Sequence, residues 1–177
     1  MEVTFRESWG VLHGLIFGAL FLLSFSGGIV GLYSLRPEFL TAEGLKERMA
    51  RLKVWVAGMA AIVWATVLSG TYIVYPWYRA KPGADVTDLS AFPRLLLLSA
   101  PNTAEWHKFG MEFKEHVAWL SPIAATVVAY VIAVYGLQLI KEPKIRKALM
   151  NFFVVAFAAA AIAGVLGAFI TKAAPVR

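Results

Sequence analysis

The chain is predicted to be an all-α integral membrane protein, a four-helix bundle with one long outer loop that carries a short helix. Three observations predict it. Hydrophobic residues make up 59% of the 177 positions and charged residues only 16%, against roughly 45–50% and 25% in soluble domains. The apolar residues gather into long runs rather than alternating faces. Four of these runs reach the roughly 20 helical residues that a hydrocarbon core about 30 Å thick demands. Backbone polar groups in lipid must bond internally, and runs of this length do so only as helices.

The spans follow in order: about 9–35, 54–75, 117–140 and 149–170. An even number puts both termini on one side. The first run is preceded by Glu2, Arg6 and Glu7 and lacks a basic leader, so it reads as a span and not as a cleavable signal. Arg36 to Lys53 is a polar loop with Pro37 and a helix-favouring stretch of Glu, Lys and Arg. KEPKIRK, Lys141 to Lys147, is a tight basic hairpin. Residues 76–116 form the long loop. It opens on an aromatic and basic edge, Tyr75 to Arg79, and holds an apolar patch from Phe92 to Leu98, expected on the membrane surface or against the bundle. Asn102 and Glu105 have capping-box spacing, which predicts a helix start near Thr103 that runs on toward the third span. Pro122 is expected to bend that helix near His116.

Charge sets orientation and excludes one class of partner. The chain has 17 basic and 11 acidic residues, a formal charge of +6. Arg36, Lys46, Arg48, Arg51 and Lys53 crowd one short loop, and Lys141, Lys144, Arg146 and Lys147 crowd the hairpin. Such density beside apolar spans is an orientation signal, not a nucleic-acid face. Both short loops are therefore expected in the cytoplasm, with the termini and long loop outside. The absence of cysteine excludes disulfides, thiolate metal sites and covalent c-type haem within the chain.

Chemistry must come from few residues. No nucleophile elbow, phosphate loop or HExxH motif is present. The histidines are His13, His107 and His116. An ionisable group in a membrane segment is a functional candidate by default. His13 stands on a face with Gly10, Phe17, Ser24, Gly27, Gly28 and Gly31, which reads equally as a pocket and as a packing seam. Gly10, Gly14 and Gly18 repeat the GxxxG spacing of close helix pairs. His116 shares a face with Glu105 and Glu112, and His107 lies half a turn away.

Three readings compete. In the first, His13 and His116 meet across the bundle and ligate the iron of one haem b, with Arg79, Arg94, Lys114 or Lys172 on its propionates. In the second, Glu112 and His116, joined by His13, Glu105 or His107, bind a metal ion. In the third, the histidines only hydrogen-bond, and the chain is a non-catalytic subunit of a larger membrane complex. The first extends to a quinone, with Glu112 or Glu115 accepting its protons.

Four spans with histidines on the first and third resemble small four-helix b-type cytochromes of bacterial inner membranes. The resemblance implies one haem b and electron transport, with quinone or periplasmic redox subunits as partners. A second bis-histidine haem is not expected, because no histidine falls in the inner half. The strings GTYIVYPWYR and WHKFGMEFKEHVAWLSP also look like signatures of a four-span bacterial membrane family, a likeness that implies no activity.

Overall fold

The computed structural model describes residues 3–41 and 44–176. Ala42 and Glu43, part of the helix-favouring loop stretch, lie outside them. Among the described residues there is no strand. Four helices are long and apolar enough to cross a membrane: α1 (Phe5–Tyr33), α2 (Gly44–Tyr78), α4 (Pro101–Tyr135) and α5 (Pro143–Ala173). A short helix, α3 (Pro93–Leu98), lies in the long loop. This is the multi-pass membrane bundle expected from the hydropathy.

The helices outrun the apolar spans because polar residues extend them into the boundary. α1 begins at Phe5 with a reciprocal cap. The Thr4 hydroxyl accepts from the Glu7 amide at 3.1 Å, and the Glu7 carboxylate accepts from the Thr4 amide at 2.9 Å. The capping box expected at Asn102 and Glu105 does not form. α4 starts two residues earlier, at Pro101, whose missing N–H is harmless at a first helical position. The Thr103 hydroxyl turns back to the carbonyl of Leu97 at 2.8 Å. Thus much of the long loop is helix, and α3 packs its Leu97 into the bundle.

The interruption expected near His116 is present. The α-helical pattern of α4 breaks at residues 117–119, just before Pro122. The Ser121 amide reaches Ala118 O at 3.1 Å, supplying the partner that proline cannot. Ser121 also donates its hydroxyl to Ala156 O on α5 at 2.7 Å, which ties the break to its neighbour.

α1 packs on α2, α2 on α4, α4 on α5, and α5 returns to α1. The end that carries the two short connections is the hairpin end; the other is the terminal end. The apolar core fills the hairpin half: Leu32, Leu52, Val56, Met59, Val128, Ile132 and Phe153 are all buried there. Gly27 lies under the Trp55 indole and Gly28 under the Phe153 ring, where an added Cβ would come within 2.5 and 2.9 Å. This half of the glycine face is a seam. By contrast, Gly10, Gly14 and Gly18 have nothing within 4 Å of an added Cβ, so the GxxxG stripe is not packed within the chain. Arg146 closes the hairpin end. Its guanidinium donates to Leu139 O at 3.1 Å and Leu35 O at 3.3 Å, capping carbonyls that the ends of two helices leave open.

Candidate functional site at the terminal end

The terminal half is built differently. α1, α2 and α4 each contain one π-helical segment: Leu12–Ile16, Gly70–Val74 and Trp106–Met111. A π segment holds an extra residue in the turn and shifts the facing of everything beyond it; such segments are frequent at functional sites. Here they carry His13, Gly70 and His107.

His107 is buried, 8% exposed, on the third of these segments. Its Nε2 accepts from the Arg94 Nε at 3.3 Å, and its Nδ1 lies 2.8 Å from the Tyr78 hydroxyl. An arginine can only donate, so Nε2 of the neutral ring carries no proton and Nδ1–H donates to Tyr78. The Tyr78 hydroxyl is then free to donate onward. Tyr78 is buried at the end of α2, where the charges of Glu115, Arg94 and Arg79 act on it. Tyr75, one turn back, also brings its hydroxyl within reach of Glu115, and accepts from Arg79 at 2.8 Å. The Glu115 carboxylate acts electrostatically on both tyrosines and on His107, so it stands near both hydrogen-bonded pairs. Its Oε1 is buried and has no hydrogen-bond partner among the described residues. Buried polar atoms are nearly always paired, because an unpaired one costs about 1–3 kcal/mol.

Lys114, beside it in sequence, points elsewhere. Its ammonium enters the bundle, donates to Ala163 O on α5 at 3.2 Å, and touches the space that a Cβ on Gly167 would fill. Its charge also acts on His13. His13 itself is half-buried; its Nδ1 lies 3.1 Å from Ser69 Oγ, and its ring rests on Gly70, where an added Cβ would come within 2.6 Å of Cε1. On its lipid side a groove of about 550 Å³ runs between α1 and α2, lined by Trp9, Phe17, Leu68, Ser69, Tyr72 and Ile73.

The structure does not bring His13 and His116 together. Lys114 turns toward His13, and His116, two residues later, is about 200° around the helix. The His116 side chain is 71% exposed, and its Nδ1 engages its own helix at Glu112 O, 2.9 Å away. Among the described residues no contact links the two imidazoles. The metal reading through Glu112 and His107 fares no better. Glu112 lies 3.7 Å from His116, while His107 spends both nitrogens on Tyr78 and Arg94. Among the described residues no three His, Cys, Asp or Glu side chains converge as a metal site. Glu105 is engaged by Lys108 at 3.2 Å on the surface. Of the anticipated propionate partners, Arg79 and Arg94 belong to the polar cluster instead, and Lys114 is turned inward.

No family model, curated protein or solved structure matches this chain, so the chemistry of the site rests on its own geometry.

Proposed function

We propose that the chain is a proton-accepting subunit of a membrane redox assembly, one that meets a lipid-soluble quinol at its terminal end and takes up its protons at Glu115. The observation that carries this reading is the unpartnered, buried carboxylate oxygen of Glu115, whose charge acts on Tyr75, Tyr78 and His107. A carboxyl so placed has an empty position for a proton and hydroxyl neighbours able to pass one. The apolar groove supports the choice of substrate. It lies between two spanning helices with Leu68 and Tyr72 of its lining exposed, where a ligand dissolved in the bilayer would meet it, and Tyr72 is one turn from Tyr75. The quinol's two electrons go to a redox centre on a partner subunit. The basic short loops favour the cytoplasm for the hairpin end, which puts the cluster at the outer face of a bacterial inner membrane and releases protons there.

Infrared difference spectroscopy of the protein in lipid discs tests the proton site. A spectrum recorded with minus without a bound short-chain quinol is expected to show a carboxyl band that Glu115→Gln removes. A band unchanged in the variant would sink the assignment. The groove is tested by tryptophan quenching with a short-chain quinone, expected to saturate and to weaken about tenfold or more when Ser69→Leu fills the wall.

A second reading, the non-catalytic packing subunit, has its own support: His13 is absorbed in helix contacts with Ser69 and Gly70. Neither band nor quenching would favour it. The cytochrome reading is separable by a reduced-minus-oxidised spectrum. A b-type band lost in both His13→Ala and His116→Ala would restore it.

A further inference from the structure

A second groove lies at the hairpin end, away from the polar cluster. It measures about 520 Å³ and runs between α1 and α2. Its floor is apolar and preformed. Trp55 lies flat on Gly27 and Leu52 on Gly31, so the trough is shaped by side chains that have no room to move inward. Its rim is cationic, with Arg48 and Arg51 on successive turns of α2. Arg51 pairs with Glu47 at 3.2 Å, but both side chains are more than 60% exposed, and a pair so solvated holds its arginine weakly. No carboxylate among the described side chains pairs with Arg48. Lys46, Lys53, Lys141, Lys144 and Lys147 stand at the same end and add to its positive field.

We propose that this groove is a binding site for an anionic phospholipid. Arg48 and Arg51 hold the phosphate by charge-assisted hydrogen bonds, and one acyl chain lies along Gly27 and Gly31 against Trp55. The two halves of the groove select the ligand together. A free phosphate ion leaves the apolar trough empty. A zwitterionic lipid fills the trough but sets its own cation beside the arginines. An anionic lipid matches both, and it is at hand in the bilayer that the four helices cross.

The test uses the 177-residue chain in detergent, with phosphatidylglycerol or phosphatidylcholine of identical acyl chains added, read by native mass spectrometry. One phosphatidylglycerol is expected to be retained per chain, with a preference of about tenfold to thirtyfold over phosphatidylcholine. The pair Arg48→Gln and Arg51→Gln should remove the preference. Lys144→Gln with Lys147→Gln, an equal charge loss at the same end but outside the groove, should keep it. Each arginine variant alone gives a partial loss, which keeps the reading if the pair folds poorly. Three results overturn the proposal: no preference in the native chain, a preference that survives both arginine changes, or equal loss in the lysine control. Displacement of the lipid by millimolar inorganic phosphate would also overturn it, because an ion alone would then suffice.

Discussion

His13 owes its position to a glycine. The imidazole sits on Gly70 and reaches Ser69, and any side chain at residue 70 would push it off. Gly70→Ala is therefore expected to cost about 1–3 kcal/mol, the penalty for overfilling a tight contact. Gly18→Ala, which meets nothing within 4 Å, should be neutral or gain up to about 1 kcal/mol. Thermal unfolding of the two variants in the same lipid checks the contrast; equal effects would mean that the His13 ring does not rest there. Of the individual residues, His13 as a membrane-embedded polar group was legible from its place in an apolar run. Its partner was not. Periodicity says which side of α4 a residue occupies, but not which neighbouring helix that side meets, so it did not foretell that Lys114 acts on His13. The buried oxygen of Glu115 was not legible, because the charged run around it reads equally well as a solvated surface.

At the scale of the element, α4 and α5 are coupled through one ammonium. Gly167 leaves the space into which Lys114 extends, and Ala163 supplies its acceptor. Gly167→Ala should displace the ammonium and destabilise the protein by about 1–3 kcal/mol, the cost of a buried polar group left short of its partner. In a Lys114→Met background the same change should cost little. The double-mutant cycle, read by thermal unfolding, is expected to return a coupling on the order of 1 kcal/mol; strict additivity would place the ammonium elsewhere. The helices were legible from length and hydropathy, and the break before Pro122 from the chemistry of proline. The start of α4 was misread, since Pro101 itself serves as a first helical residue and makes the Asn102–Glu105 spacing irrelevant. The π segments left no mark in the sequence. They arise from packing, which no local propensity encodes.

For the whole molecule, the even span count is the testable statement. The chain has no cysteine, so an introduced one is unique. Asp85→Cys in the long loop and Lys144→Cys in the hairpin should label from opposite sides of the membrane with an impermeant maleimide. The first is expected to react in intact cells and the second only after permeabilisation. Labelling of both from one side would overturn the four-span arrangement, and the reverse pattern would invert the proposed orientation alone. At this scale hydropathy carried nearly all the information, because lipid admits so few architectures. It carried none about which half of the bundle is apolar and which is polar, since both halves of every span look alike to a composition average.

Among the described residues, three of the four long helices carry a π-helical turn toward the terminal end, and none carries one at the hairpin end. Each widened turn gives its helix one place where a slight rotation costs few bonds. The molecule thus resembles a collar seated on a rigid base. Strain applied at the membrane surface, by a docking subunit or a change in bilayer thickness, would be taken up by the collar. The residues that feel it first would be His13, Gly70 and His107, while the packed base stays still.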